Sequence, residues 1–585
     1  MLRKFKIIFI VVVFLSLPSF ISAAFLGEKT NFHIDSTFDL SQREEISATL
    51  QFIGSNLYLY TDDVWWKLLD SQEKSKIMQS FQNLNSEFYY KIYPTLTSIY
   101  GSEWKPGIDK DYHVTILVHP MIEKAGGYFN NGDEYLKIQS PKSNEREMVY
   151  LNANYIDSSL AKSLLAHEFT HLITFNQKEK IQGAEEEVWL NEARAEYAST
   201  LMGYDAEYEG SNLEKRVKTF LENPSDSITE WQGREADYGG LNLFTQYLVE
   251  QYGTVILTDS LKSEEVGIKS LNYALEKNGF DVDFSQVFTD WTIAISANDC
   301  SLGEKYCYKN KNLKNLRIMP LINFLPLKGK STLGVNQTTK NWSGNWFKFI
   351  GGKGILKIEF IGNPENLFKV PYLAKNITGE YSLDFFELNE YQRGEISVPG
   401  FGSDITFVTI IPTIQSKMSG FLSIEPSFPF FWEASTIVEI EETEENLNSK
   451  YLEKPLSKMT KTEILDKISD MEELISQLKA QLVKIIAEEE TEEVSCEKFD
   501  KNLFYGLNNN SEVKCLQEFL KNQGKDIYPE ELVTGNFLTL TKAAVVRFQE
   551  KYKSEILEPL ELEKGTGFVG KMTRAKINDI LTREP

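Results

Sequence analysis

The sequence predicts a multidomain protein: an α+β domain, then an all-β sandwich, an acidic helical linker and a small C-terminal helical module. Three observations carry this. A length of 585 residues is enough for three or four domains of about 150 residues each. The hydrophobic pattern changes near residues 157, 318 and 439, from mixed to helical, then to short alternating runs, then to an acidic heptad-like stretch. A Thr-Gly element followed by a helical pattern also occurs twice within residues 495–585. Hydrophobic residues at 42% and aromatics at 12% are enough to build cores, which excludes a disordered chain. The net charge of −23 argues against nucleic acid or an anionic membrane as the main partner, because both are bound through excess Lys and Arg. With 5 histidines and 4 cysteines the chain is neither a histidine-rich metal buffer nor a disulfide-dense mini-domain. Any cluster of those residues is therefore informative.

Residues 1–24 read as a secretory signal peptide. Arg3, Lys4 and Lys6 precede an unbroken apolar run from Ile7 to Leu15, and Ser22, Ala23 and Ala24 supply small residues for cleavage after Ala24. An uncleaved anchor is the alternative, but the run is well short of the ~20 apolar residues needed to span a bilayer. The mature protein is expected to be secreted or associated with the cell envelope, outside the cytoplasm. That compartment permits disulfides. Local bridges Cys300–Cys307 and Cys496–Cys515 are preferred over the two crossed pairings.

Residues 25–317 form the α+β domain, with its strand-bearing part to about 156 and a helical part over 157–300. Val114–Val118 and Glu147–Leu151 read as short strands. Residues 318–438 carry short alternating runs ended by Gly, Pro and Asn, such as Trp346–Ile350, Ile355–Phe360 and Ile405–Ile411, which predict the sandwich. Residues 439–494 form the linker, and 439–493 hold sixteen acidic residues against seven lysines. Within them Ile464, Ile468, Met471, Ile475, Leu478, Leu482 and Ile485 recur at steps of four and three. That spacing fits either a coiled-coil seam giving weak self-association or one helix packed on a neighbouring domain.

The chemistry concentrates on two helical segments. In the first, from Ser158 with Asp157 or a serine as N-cap, His167 and His171 stand four apart on one face, where both imidazoles can ligate one Zn²⁺. Glu168 adjoins the first histidine and is placed to act as base toward the attacking water. Chance predicts such an HExxH in roughly a few per thousand chains of this composition. A catalytic zinc takes three protein ligands, and Glu192 and Glu196 lie on one face of the following helix. The first can complete the metal shell; the second can accept the free N–H of a ligand imidazole.

HEFTH followed by WLNEARAEY resembles the gluzincin metallopeptidases, in which the Glu of an Asn-Glu dipeptide is the third zinc ligand. The wording AHEFTHLITFNQ, VWLNEARAEYAS and YGGLNLFTQYLVEQYG is most similar to the hyicolysin-type secreted bacterial members. The resemblance covers roughly 110 to 300 and implies a zincin-like fold for 25–317, one Zn²⁺ per chain, Glu192 as ligand and Glu196 as orienter. Ala193 and Arg194 depart from the Gly and apolar residue these relatives often carry. Tyr238, opening the segment with Leu241, Phe244 and Leu248, is the candidate donor to the oxyanion. By the same resemblance, the strand Val114–Val118 offers an edge to an extended peptide. His113 and His119 flank that strand and read as its end caps, and His33 lies in a polar segment with no partner signal.

Residues 495–585 repeat a Thr-Gly…Thr element at 534–541 and 566–573. These residues resemble the small three-helix peptidoglycan-binding domain found beside secreted bacterial hydrolases, with Leu538 where that family usually has Gly. No histidine occurs here, so a zinc-dependent wall hydrolase within this module is excluded. The expectation is a secreted zinc endopeptidase that cleaves protein or peptide and is tethered to wall peptidoglycan. The alternatives are an endopeptidase acting on peptidoglycan peptides and a non-catalytic adhesin on a peptidase scaffold.

Overall fold

The computed structural model describes residues 24–326, 331–437, 459–461, 496, 498–504, 507, 510–529, 531–560 and 562–582. The signal segment before Ala24 and the seam from Ile464 to Ile485 lie outside the described residues. The chain divides into two units, Met1–Ile440 and Glu441–Pro585.

The first unit begins with a six-stranded sheet made of β1 (Lys29–His33), β2 (Glu45–Ile53), β3 (Leu57–Asp62), β4 (Val114–His119), β5 (Gly127–Tyr128) and β6 (Met148–Asn152), in the order β1-β2-β3-β4-β6-β5. Strands β3, β4 and β6 are parallel, and β5 runs antiparallel to β6. Both faces are covered. Leu59, Ile116, Val118, Val149 and Leu151 point into the main helical core, while Tyr58, Tyr60, Leu117, Met148 and Tyr150 alternate into a second cluster with Phe32 and Met121. Every residue of β4 is buried, and the strand is paired on both sides. It therefore has no edge to offer, which corrects the expectation placed on Val114–Val118. A continuous apolar run marks the centre of a sheet covered on both faces. The edge beside α4 is β5, whose two residues are too few to leave a period in the sequence.

The helices of this unit are α1 (Asp63–Leu68), α2 (Ser71–Glu87), α3 (Tyr93–Tyr100), α4 (Ala161–Thr174), α5 (Val188–Leu201), α6 (Asn212–Glu222), α7 (Glu235–Tyr252), α8 (Val255–Leu261), α9 (Gly267–Lys277) and α10 (Phe284–Ala297). Helix α4 buries Leu165, Phe169 and Leu172 in the main core and begins later than expected. Its N-cap is Leu160, without a side-chain hydrogen bond. Asp157 is instead drawn into an ion pair with Lys76, and Ser158 Oγ accepts from Leu160 N one residue too early to cap the helix. Beyond α4 a π-helical turn over Phe175–Ile181 buries Lys178, whose ammonium donates to the carbonyls of Ser260, Ser263 and Glu265. A disulfide joins Cys300 to Cys307 after α10.

Eleven further strands follow: β7 (Leu321–Leu325), β8 (Ser331–Thr339), β9 (Phe347–Gly351), β10 (Gly354–Gly362), β11 (Phe368–Lys369), β12 (Pro371–Asn376), β13 (Tyr381–Phe385), β14 (Arg393–Phe401), β15 (Ile405–Ile410), β16 (Thr413–Ile414) and β17 (Phe428–Ile437). Nine of them hydrogen-bond into one sheet, with the path β13-β12-β15-β14-β10-β17-β8 and with β7 and β9 joined through β15; β11 and β16 pair separately. Phe349, Ile358, Phe360, Val408 and Trp432 fill their core. Side chains from the strand region also enter the helical core. Trp342, Trp346, Leu373 and Ile411 belong to the helical core. Glu230 crosses the seam to accept from Lys340 Nζ at 2.6 Å and Glu425 N at 2.6 Å. The loop after β16 reaches the start of α5, where Gly420 N donates to Glu187 at 3.0 Å and Phe421 meets Trp189 edge to face.

The second unit contains α11 (Ser511–Asn522), α12 (Thr539–Lys551), α13 (Lys553–Ile556) and α14 (Lys571–Leu581) around Leu516, Phe519, Phe548 and Ile577, with Cys496 bonded to Cys515. Its repeat is physical. Gln517 accepts from Gly535 N and donates to Asn536 O and Thr541 Oγ1; Gln549 does the same with Gly567 N, Phe568 O and Thr573 Oγ1. Each turn places a glycine at positive φ, 74° at Gly535 and 72° at Gly567. Leu538 occupies the place of Gly570, and both backbones are extended with negative φ, so a side chain is tolerated there.

Candidate metal centre

Helices α4 and α5 pack together and bring three ligand atoms to one point. His167 Nε2 and His171 Nε2 are 3.1 Å apart, and Glu192 Oε2 lies 3.4 and 3.7 Å from them. Two ligands about 2.0–2.1 Å from a tetrahedral Zn²⁺ are separated by about 3.3 Å, so the trio has the span such an ion needs. Glu192 Oε2 is buried and has no hydrogen-bond donor. Two imidazole nitrogens and a carboxylate oxygen are a zinc-type donor set. Among the described residues this is the only cluster of three or more His, Cys, Asp or Glu whose ligand atoms come so close. The residues present fit the metal.

The outer nitrogens of both rings face oxygens. His167 Nδ1 is 3.4 Å from Glu196 Oε1, and His171 Nδ1 is 3.1 Å from Asn191 Oδ1. Each contact favours the proton on Nδ1 and leaves Nε2 free to coordinate. Glu196 is in turn held by Arg216 from α6, Asn212 and Asn242. Sequence reasoning missed these partners. Asn191 had a signal, as the first residue of the Asn-Glu dipeptide; Arg216 and Asn242 had none, because they arrive from other helices.

Glu168 is buried beside the sheet edge, where a Cβ on Gly127 would stand 3.0 Å from Glu168 Oε1. Burial pushes the Glu168 carboxyl up to about 8, the His167 charge opposes this, and Glu192 and Glu196 add to it. Burial lowers both imidazoles; at His167 the nearby carboxylates of Glu192 and Glu196 outweigh it and the net shift is upward, while His171 stays lowered. Burial raises Glu196, but Arg216 and His167 hold it well below the usual carboxylate range. Tyr238, on the first turn of α7, feels the charges of Glu192, Glu196 and Glu168, and burial followed by those charges keeps its hydroxyl protonated. Its ring is packed between Trp231 and the Arg216 guanidinium, the latter 4.4 Å from the centroid.

The remaining flagged residues lie elsewhere. His119 is fully buried with Nδ1 3.2 Å from Asp39, His113 bonds Asp111 and stacks on Tyr58, and His33 Nδ1 is 3.9 Å from Glu45. Arg194 is buried and committed to Glu186 at 2.8 Å and Ser260 Oγ at 2.8 Å, so that departure anchors α5.

The three ligand atoms could thus hold one metal ion. The chain is similar to the neutral metalloprotease ShpI of Staphylococcus hyicus, 25% identical over 288 residues, which is 45% of this chain and 61% of that protein. The chain therefore spans about 61% of the length of this relative. No family model matches. Among solved structures, the pre-peptidase C-terminal domain of a collagenase from Bacillus anthracis aligns at 6% identity over 20% of this chain and 96% of that one, with a TM-score of 0.14. The GH115 4-O-methyl-α-glucuronidase BtGH115A aligns at 8% identity over 56% and 52%, with a TM-score of 0.12. At those scores neither bears on fold or function. No helix of the described residues is long and apolar enough to cross a membrane.

Proposed function

We propose that this protein is a zinc-dependent endopeptidase of the gluzincin type, exported from a bacterial cell and held at the envelope by its C-terminal module. The observation that carries the proposal is the convergence of His167, His171 and Glu192 at 3.1–3.7 Å beside Glu168 and a strand edge. The similarity to a metalloprotease supports the reaction class. His167, His171 and Glu192 would hold the ion, and Zn²⁺ bound there supplies a Lewis acid that polarises the scissile carbonyl and makes water nucleophilic near neutral pH.

Glu168 takes the proton of the attacking water and passes it to the leaving amine. Tyr238 donates a hydrogen bond to the oxyanion as it develops on the carbonyl. Glu196 and Asn191 fix the imidazoles so that neither ring turns during turnover. The peptide lies extended against β5 as an added strand, main chain to main chain. Export is supported by the basic and apolar N-terminus and by the two disulfides. The paired Gln517 and Gln549 turns, with the resemblance of 495–585, support binding to wall peptidoglycan.

The test is chelation and reconstitution of the purified mature chain. Casein cleavage is expected to vanish with the metal and to return with one Zn²⁺ per chain; cleavage that persists after complete metal removal overturns the proposal. Digestion of purified wall but not of unfolded protein would move the substrate to peptidoglycan peptides. Wall binding without cleavage of either would leave an adhesin.

A further inference from the structure

The strand region carries a surface that the metal centre does not use. Strands β13, β12, β15, β9 and β7 pair in that order, and their registers set Tyr381, Lys375 and Phe407 in one row that continues through Ile350 and Phe324. Lys348 and Ile322, paired with each other, stand one step along on the same face. The opposite face of these strands is the inner one, since Phe349, Ala374, Val408 and Ile410 belong to the strand core. On the outer face Leu373 belongs to the helical core, and Leu383 and Tyr381 pack against it. The helices therefore close one end of this face. They leave open the end at β9 and β7, where Ile322 and Phe324 are 64% and 63% exposed. The Phe324 ring is seated over Gly351, where a Cβ would stand 3.2 Å from it. Strand β7 pairs only with β9, so among the described residues its other edge is free.

Two ammonium groups flank the middle of the row. Lys348 Nζ lies 3.6 Å over the Phe407 ring and Lys375 Nζ 4.5 Å over the Tyr381 ring, and the two rings meet edge to face at 6.0 Å. Among the described residues neither ammonium has an ion pair or a hydrogen bond. Asp299 feels the Lys375 charge, but its Oδ1 accepts from Ser301 N and Ser301 Oγ. Burial, followed by the charge of Lys375, lowers the Lys348 ammonium below its ordinary range. A chain of net charge −23 has carboxylates in excess, yet none is placed against these two cations.

Half-buried like charges without a counter-charge are costly, and an anion brought to them is stabilised. Because the lysines cover the aromatic rings, ammonium groups and not flat ring faces are offered to a ligand, which disfavours a stacked sugar. The apolar side chains and free main-chain edge beside them suit a polypeptide better than a phosphate polymer. We infer that this face binds an extended acidic segment of a polypeptide, with carboxylates at Lys348 and Lys375 and apolar side chains on Ile322 and Phe324. On the peptidase reading the segment belongs to the protein being cut, and the surface selects unfolded acidic substrates. Binding itself does not depend on that reading.

The test titrates the full mature chain carrying Glu168→Gln, which spares the probe from cleavage, into a fluorescein-labelled dodecapeptide of repeating Glu-Leu-Glu-Ser and follows anisotropy. Saturable binding is expected, tighter by about tenfold than for the Gln-Leu-Gln-Ser counterpart. Lys348→Gln/Lys375→Gln should weaken it by about tenfold, and Phe324→Ser by several-fold. In the chain with native Glu168, the lysine variant should raise KM for an unfolded acidic protein and leave that for a short neutral peptide unchanged. No saturable binding, equal binding of the Gln peptide, or full affinity in the lysine variant overturns the inference. Tighter binding of polyphosphate than of the peptide would move the surface to a phosphate polymer, and self-association abolished by the lysine variant would move it to a second copy; either result also overturns it. Peptide binding by a chain that cuts no protein would leave this inference standing and sink the peptidase reading alone.

Discussion

The two carboxylate oxygens of Glu196 are each 2.7 Å from a different nitrogen of Arg216, and one of them also faces His167 Nδ1 at 3.4 Å. A bidentate pair of this kind fixes the carboxylate in both position and charge. Because the same guanidinium lies over the Tyr238 ring, one arginine on α6 sets both the orientation of an imidazole and the placement of a phenol. Glu196→Ala is expected to weaken zinc binding by about 10–100-fold. Competition with a chromophoric chelator measures this, and circular dichroism checks that the fold survives. Unchanged zinc affinity would remove Glu196 from the role proposed for it.

Glu168→Gln keeps the size of the side chain and removes its ability to carry the proton. Peptide cleavage should fall by about 10²–10⁴-fold, the usual worth of a general acid–base group. Zinc content should remain at one per chain, because Glu168 is not among the three converging ligand atoms. A variant that loses zinc together with activity would show Glu168 to be structural.

Tyr238→Phe removes only a hydroxyl. If Tyr238 is the oxyanion donor proposed above, Phe should lower kcat by about 10²–10³-fold while KM changes little. Steady-state kinetics on one peptide separates the two parameters, and a change confined to KM would assign the tyrosine to substrate binding.

Glu230 carries the seam between the helical part and the strands, accepting from Lys340 and from Glu425 N with its side chain fully buried. Glu230→Ala leaves the Lys340 ammonium without its partner, and the expected loss is about 3 kcal/mol of stability. Urea titration should show it as a lower midpoint of the whole first-unit transition. Two separated transitions in the variant would mean that the parts fold independently.

Acid should strike the N-terminal sheet early. Burial pushes the Asp39 carboxyl up, but hydrogen bonds and charge from Arg43 outweigh it, and the group sits at about 2 in place of 3.8. The folded state thus binds fewer protons than the unfolded state between those values. Its contribution, about 2 kcal/mol, is complete above pH 3.8 and is lost as the pH falls through 3.8 toward 2. Urea midpoints between pH 5 and 2 should fall less steeply in Asp39→Asn than in the native chain.

His167 and His171 could be read from the sequence because they stand four apart on one helix, while Glu192 is singled out by the resemblance of WLNEARAEY to the gluzincins. What could not be read depends on tertiary packing. Arg216 is one basic residue among many until α6 packs on α7 and brings its guanidinium to Glu196. The edge strand is two residues long, and Gly127–Tyr128 carries no alternation to detect. The β4 run was legible as a strand, but apolarity alone does not separate a central strand from an edge. The late start of α4 has the same cause, since Asp157 has a helix-capping side chain that a lysine 81 residues away claims first.

The two tryptophans that leave the strand region for the helical core have an evolutionary consequence. Trp342 and Trp346 fill space that the residues before position 318 do not close for themselves. A recombination event that cut near residue 318 would deliver a helical half with holes and a strand half with exposed indoles. A chain divided there is expected to be less stable than the intact first unit, whereas the second unit carries its own core and its own disulfide.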